Sequence, residues 1–92
     1  MGAILVVYKV FPEDIVPSFD PLKEKIKAIL PKASSIEGWG EEEVAFGLKA
    51  LLVQVRFPED VSGLVEEFEV ALAKIPGVSQ AEAFNIRRTS RD

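Results

Sequence analysis

Two segments of this chain are apolar on both of the faces that an extended strand presents. The first runs from Ala3 to Phe11 (AILVVYKVF) and carries a single charge at Lys9, and the second runs from Phe46 to Phe57 (FGLKALLVQVRF). A strand with one face in water alternates apolar and polar side chains, whereas a strand enclosed within a sheet can be apolar throughout. We therefore predict that both segments are central strands of one sheet.

An amphipathic segment after the first strand is predicted to form a helix. It begins at Asp20 and Pro21, where the aspartate is expected to cap the free amides and the proline is tolerated at the first helical position. Its apolar side chains recur at helical spacing and form one stripe: Leu22, Ile26, Ile29 and Leu30. Pro31 ends the pattern, because proline cannot continue a helix.

A second amphipathic segment, from Val61 to Ile75, is predicted to form another helix, with Asp60 or Ser62 as its cap. The apolar residues of one face are Leu64, Phe68, Leu72 and Ile75. The residues expected to face water are Glu66, Glu67 and Glu69. This separation into two faces predicts that the helix packs on the sheet.

Two weaker strand patterns complete the predicted fold. The stretch from Ser34 to Val44 is polar and contains two glycines, which is typical of a bulged edge strand, and Val78 to Arg88 is half polar. The element order is β-α-β-β-α-β, and a chain of 92 residues suffices for a single domain over positions 1–92. We predict an α+β, ferredoxin-like fold, with a four-stranded antiparallel sheet and both helices on one face.

The composition excludes several kinds of chemistry. The chain has no histidine and no cysteine, which excludes thiol catalysis, disulfides and thiolate metal sites. Its net charge is −4, a poor match for a phosphate backbone, so no direct nucleic-acid partner is expected. The same acidic balance suits a protein that must stay soluble in the cytoplasm, so the chain is predicted to be cytoplasmic. It contains no apolar run of about 18 residues, so no membrane partner is expected.

Two further features of the sequence have a structural and a functional interpretation. The run Glu41, Glu42 and Glu43 could suggest a metal site, but consecutive carboxylates in a strand point to opposite faces, which favours a solvated edge. We therefore expect no metal and no cofactor. Trp39 stands between two glycines and is either a core residue, which the small size of the domain favours, or an anchor for a partner.

Alternation along the third strand separates a core face from an open face. Leu51, Val53 and Val55 are expected to point to the core. The open face would then carry Phe46, Leu48, Ala50, Leu52, Gln54 and Arg56. Because four of these six are apolar, this face is predicted to bind a partner, unless a tail, a loop or a second copy of the chain covers it.

Three arginines lie within the last six residues of this otherwise acidic chain: Arg87, Arg88 and Arg91. Arg87 and Arg88 are neighbours in a strand, so their side chains diverge and one of them must join the open face. The pair fits either a solvated terminus or a carboxylate or phosphate partner, for which arginine is well suited. For Arg91 a solvated terminus is the favoured interpretation.

The segment from Glu43 to Leu51 (EVAFGLKAL), the run Pro-Gly-Val-Ser at 76–79 and the arginine-rich end together resemble elongation factor 1-beta of the short archaeal type. The most specific part is AFGLKAL, from Ala45 to Leu51, which is similar to the family's "aromatic-Gly-aliphatic-Lys-x-Leu" segment. The likeness covers essentially the whole chain in length, element order and spacing.

The resemblance implies a guanine nucleotide exchange factor, not an enzyme, whose partner is the GTPase elongation factor 1-alpha in its nucleotide-free or GDP-bound form. In the family, the aromatic residue that corresponds to Phe46 packs against the GTPase, and the end of the last strand approaches its magnesium and phosphates. Arg88 stands where eukaryotic members carry a lysine. The predicted partner-binding residues are Phe46, Leu48, Lys49, Leu52, Arg87 and Arg88.

Two other functions use the same fold. A regulatory module would use the open face to form a dimer or to bind a small molecule, whereas the exchange factor is expected to be a monomer when free. A hydrolase of acyl phosphates needs a glycine-rich phosphate cradle after the first strand, where this chain has FPEDIVPSFDP. Binding rather than catalysis is therefore predicted.

Overall fold

Four strands and two helices alternate along the chain in the predicted order. A computed structural model describes residues 2–14, 17–45, 47–59 and 63–89, and for residues 88 and 89 it describes the backbone alone. The elements are β1 (Ala3–Pro12), α1 (Asp20–Ala28), β2 (Ser35–Ala45), β3 (Leu48–Pro58), α2 (Leu64–Ala73) and β4 (Val78–Thr89). With nine and ten residues, neither of these two helices is long enough to cross a membrane.

The strands form one antiparallel sheet in the order β2-β3-β1-β4. The two strongly apolar strands, β1 and β3, lie at its centre, as their sequences predict. Both helices contribute buried side chains to a single core on one side of this sheet, among them Ile26 from α1 and Phe68 and Leu72 from α2. The α+β, ferredoxin-like prediction is confirmed.

Aromatic side chains fill the centre of the core under α2. The Phe68 ring lies 5.3 Å from the Tyr8 ring and 5.8 Å from the Phe57 ring between centroids, and all three residues are buried. The Tyr8 hydroxyl donates to Glu69 Oε2 over 3.4 Å. The expectation that Glu69 faces water is therefore wrong: it is partly buried, because Tyr8 brings a polar hydroxyl into the core that needs an acceptor.

Burial and the nearby Glu69 carboxylate raise the pKa of the Tyr8 hydroxyl well above its ordinary value. The native state thus holds this proton more tightly than the unfolded chain, whose tyrosine ionises near pH ~10. We expect the free energy of unfolding to fall as the pH rises above about 10. Tyr8 is the single tyrosine, so the absorbance of tyrosinate measures its ionisation directly.

The control for this prediction is Tyr8→Phe, which should remove the alkaline loss of stability that the hydroxyl causes. Native protein should show no tyrosinate at the pH where the chain in denaturant is already half ionised. Coincident titration curves for the folded and unfolded chain would contradict the assignment.

The helix starts differ from the predicted caps. Asp20 is the first residue of α1, and buried Phe19 occupies the N-cap position without a side-chain hydrogen bond, so the aspartate cap is wrong. Burial of Phe19 fixes the entry of the chain into the helix instead. Helix α2 begins only after Gly63, whose φ of 85° is left-handed and incompatible with helix. Asp60 and Ser62, its predicted caps, lie outside the described residues.

Candidate partner-binding surface

The open face is built from alternate residues of the two central strands. Leu51, Val53 and Val55 are buried, which confirms the predicted core face of β3. On the other side, the register pairs Leu5 with Arg56, Val7 with Gln54 and Lys9 with Leu52, and all six of these residues are only partly buried. Both helices, α1 and α2, pack on the core side of the sheet. Within the part of the chain that the structure describes, no helix covers the open face, so it is accessible to a partner.

Ala50 is an exception on the open face. It was expected to be exposed there, but it is fully buried and offers no contact area to a partner. Its side chain is small, and an ion pair crosses β3 beside it. Lys9 on β1 reaches Glu42 on β2 over 2.9 Å, and Glu42 is the register partner of Ala50.

The same lysine contacts an aromatic ring on the far edge of the sheet. Lys9 Nζ lies 5.1 Å from the centroid of the Phe84 ring, within the range of a cation–π interaction. Phe84 belongs to β4 and is 50% exposed. Sequence analysis missed this residue, because apolar residues occur on both faces of the strand pattern between Ala81 and Ile86 and leave its phase open.

The glutamate run diverges as predicted. Glu42 joins the open face with Lys9, whereas Glu41 pairs with Lys49 over 3.7 Å on the other side of the hairpin. Within the described residues, no group of three or more acidic side chains is placed to hold a metal ion. Because Lys49 pairs with Glu41, it lies on the side of the hairpin opposite to Leu48 and Leu52. There it lines a cavity of about 210 Å³ together with Pro17, Ser18 and Phe19.

Two glycines of β2 leave a shallow groove in the open face. Gly38 and Gly40 lie opposite Gln54 and Leu52, and together with Val7 they line a cavity of about 200 Å³. Trp39 between them packs partly buried against the core, with Lys23 Nζ 5.5 Å from its ring centroid. The core role of Trp39 is thus the one that its position supports.

The register of β4 decides which arginine joins the open face. A bulge shifts the pairing between Val7 and Tyr8, and beyond it Arg87 pairs with Leu5 while Arg88 pairs with Ile4. Leu5 also pairs with Arg56, so Arg56, Leu5 and Arg87 form a row across three strands. Ile86, beside Arg87, is 64% exposed, but it pairs with buried Val6 and therefore points to the opposite side of the sheet. Arg91 lies outside the described residues.

Apart from Leu52, which lies midway between Leu48 and Arg56 on β3, the described candidate residues form two groups at opposite ends of the sheet. Leu48 and Arg56 are eight residues apart along β3, which is about 26 Å at the usual rise of a strand. The hairpin end holds Leu48 and Lys49, and the other end holds Arg87 and the backbone of Arg88. Phe46, predicted to begin the third strand, lies outside the described residues, and β3 itself begins at Leu48.

An apolar sheet face with charged side chains at both ends is typical of a domain that binds another protein. Residues 5–89 match the family described as "EF-1 guanine nucleotide exchange domain". Relatives named elongation factor 1-beta include those of Desulfurococcus amylolyticus, 38% identical over 98% of this chain and 100% of the relative, and of Aeropyrum pernix, 43% identical over 96% and 98%.

A third relative with this name, from Staphylothermus marinus, is 42% identical over 96% of this chain and 98% of its own length. The chain belongs to the family of EF-1 guanine nucleotide exchange domains, which confirms the resemblance noted in its sequence. Its function is guanine nucleotide exchange in translation elongation.

Proposed function

We propose that this domain promotes release of GDP from elongation factor 1-alpha by binding the nucleotide-free GTPase more tightly than the GDP-bound form. The match to the exchange-domain family over residues 5–89 carries this proposal, because it includes both ends of the sheet. By thermodynamic linkage, the domain weakens GDP binding by the same factor by which GDP weakens binding of the domain. A thousandfold effect requires about 4 kcal/mol of differential contact. No bond is made or broken, so the domain needs no catalytic residue.

The two ends of the sheet have different tasks in this proposal. The hairpin end, with Phe46 and Leu48, anchors the domain on the GTPase. The other end, with Arg87 and Arg88, disturbs the region that holds the magnesium ion and the phosphates. The separation of about 26 Å along β3 supports this division, since a rigid sheet of that length can contact two sites on one partner. Lys49 and Leu52 complete the proposed contact.

Arginine differs from the family's lysine in a way that affects the second task. Its guanidinium is planar and forked and binds carboxylates or phosphates bidentately, whereas a lysine presents a compact point charge. We propose that Arg87, which is exposed in the row with Leu5 and Arg56, shares the task with Arg88.

The test is the release of a fluorescent GDP analogue from elongation factor 1-alpha at saturating concentrations of this domain. We expect the double variant Arg87→Gln, Arg88→Gln to lower the maximal release rate about tenfold, which corresponds to about 1.4 kcal/mol. Lys32→Gln removes an exposed positive charge from another region and should leave the rate unchanged. No acceleration by the unmodified domain would oppose the proposed function itself, whereas an unchanged rate in the double variant would oppose only the role of the arginines.

We further propose that the free protein is a cytoplasmic monomer with no nucleic-acid or membrane partner. Measuring the molecular mass of the free protein, at the concentration used in the release assay, tests whether it is a monomer. A tight dimer that buries the open face would leave no surface for the GTPase and would favour a regulatory module.

A further inference from the structure

The helix layer carries an apolar groove on the side of the molecule opposite to the open face. It lies between the C-terminal halves of α1 and α2 and has a volume of about 510 Å³. The residues that form its apolar floor are Ala28, Ile29, Ala71, Ile75 and Pro76. The exchange function described above does not use this surface, because its residues lie on the open face and at the ends of the sheet.

Small side chains at facing positions explain the groove. Ala28 on α1 is exposed and Ala71 on α2 is partly buried, so two methyl groups stand where larger residues would fill the space between the helices. Val70, next to Ala71, is 54% exposed and lies on an adjoining surface that Glu66 and Glu67 also line. Leaving this much apolar area in contact with water costs free energy that a partner would recover by covering it.

The rim of the groove is positively charged. Lys25 and Lys74 both line it and both are exposed, and none of its lining residues is acidic. Lys25 Nζ donates a hydrogen bond to the carbonyl oxygen of Pro76 over 3.4 Å, which keeps this charge at the edge of the apolar floor. In a chain with a net charge of −4, a groove with two lysines and no carboxylate is a local reversal of sign.

The groove continues beyond Lys25 and Pro76. These two residues also line a second, mostly apolar cavity of about 250 Å³. Its other lining residues are Pro12, Pro17, Ser18, Pro21, Leu22 and Gly77. The combined surface suits an extended ligand or one with several apolar side chains better than a compact small molecule.

We propose that this groove binds an acidic amphipathic segment of a second protein. The apolar side chains of the segment pack between α1 and α2, and its carboxylates pair with Lys25 and Lys74. Charge complementarity favours an acidic segment over a basic one, because like charges that face each other across an interface are strongly unfavourable. The groove between α1 and α2 lies on the side of the sheet opposite to the open face, so a segment bound there leaves the open face accessible to the GTPase. The second cavity shares Pro17 and Ser18 with the cavity beside Lys49, so simultaneous binding requires that the segment stay between the two helices.

Two labelled peptides of opposite charge test this proposal. One consists of three Leu-Leu-Glu-Glu repeats and the other of three Leu-Leu-Lys-Lys repeats, and fluorescence anisotropy measures their binding to the full chain. We expect the acidic peptide to bind and the basic peptide to bind at least tenfold more weakly. The double variant Lys25→Glu, Lys74→Glu should reverse this preference, whereas the matched pair Lys27→Glu, Lys32→Glu, which lies outside the groove, should keep it.

A steric variant separates the groove from charge effects elsewhere. Ala28→Trp fills the groove from an exposed position and should abolish peptide binding while acceleration of GDP release stays unchanged. The proposal is overturned if neither peptide binds, if both bind equally, or if the charge-reversed or the tryptophan variant binds the acidic peptide as the parent does. Because GDP release is measured separately, failure of this proposal is distinguishable from failure of the exchange function.

Discussion

Replacing Phe68 by alanine is expected to destabilise the domain by about 3–5 kcal/mol, the usual cost of removing a buried phenylalanine ring. Phe68 is fully buried and packs on Tyr8 and Phe57, with ring centroids 5.3 and 5.8 Å away. The truncation leaves a cavity between α2 and the two central strands. This loss is a large part of the roughly 5–15 kcal/mol that stabilises a small domain.

Denaturant unfolding monitored by the fluorescence of Trp39, the single tryptophan, measures this loss. Val70→Ala is the matched control, because it truncates an exposed residue of the same helix and should change stability by no more than about 0.5 kcal/mol. If Phe68→Ala cost no more than Val70→Ala, the aromatic cluster would not be the centre of the core.

The second large effect is expected at the hairpin between β2 and β3. Replacing Phe46 by alanine should raise the concentration of the domain that gives half-maximal GDP release by about 30-fold, since truncation of an aromatic anchor typically costs 2 kcal/mol or more. The neighbouring residues Val44, Ala45 and Gly47 are all exposed. If Phe46 acts as an anchor, the substitution affects binding and not folding, which an unchanged unfolding midpoint would verify.

The concentration dependence of release separates the two proposed tasks. An anchor residue changes the half-maximal concentration and leaves the maximal rate nearly intact, whereas loss of Arg87 and Arg88 lowers the maximal rate. Val70→Ala, on the helix side of the molecule, should change neither quantity. An equal half-maximal concentration for Phe46→Ala and the parent would refute the anchoring role.

The sequence determined the fold because its strongest signals are local. Apolar residues on both faces can be tolerated only in enclosed strands, and this property placed β1 and β3 at the centre of the sheet before any pairing was known. The alternation of Leu51, Val53 and Val55 likewise fixed which face of β3 is buried, since successive side chains point to opposite sides. The family motif at the start of β3 supplied the function.

Only the tertiary structure decided how the surface is arranged. The phase of β4 depends on a bulge in its pairing with β1, and this pairing, between segments far apart in the chain, determined that Arg87 and not Arg88 aligns with Leu5. The ion pair that crosses β3 beside buried Ala50 likewise joins Lys9 and Glu42, which come from two different strands. The groove between α1 and α2 has no local sequence signature, because its lining residues come from two helices that are far apart in the chain, among them Ala28 and Ala71. Local periodicity thus determines which face of a strand or helix is turned to the core, whereas long-range register and packing determine which residues of the other face lie together or become buried.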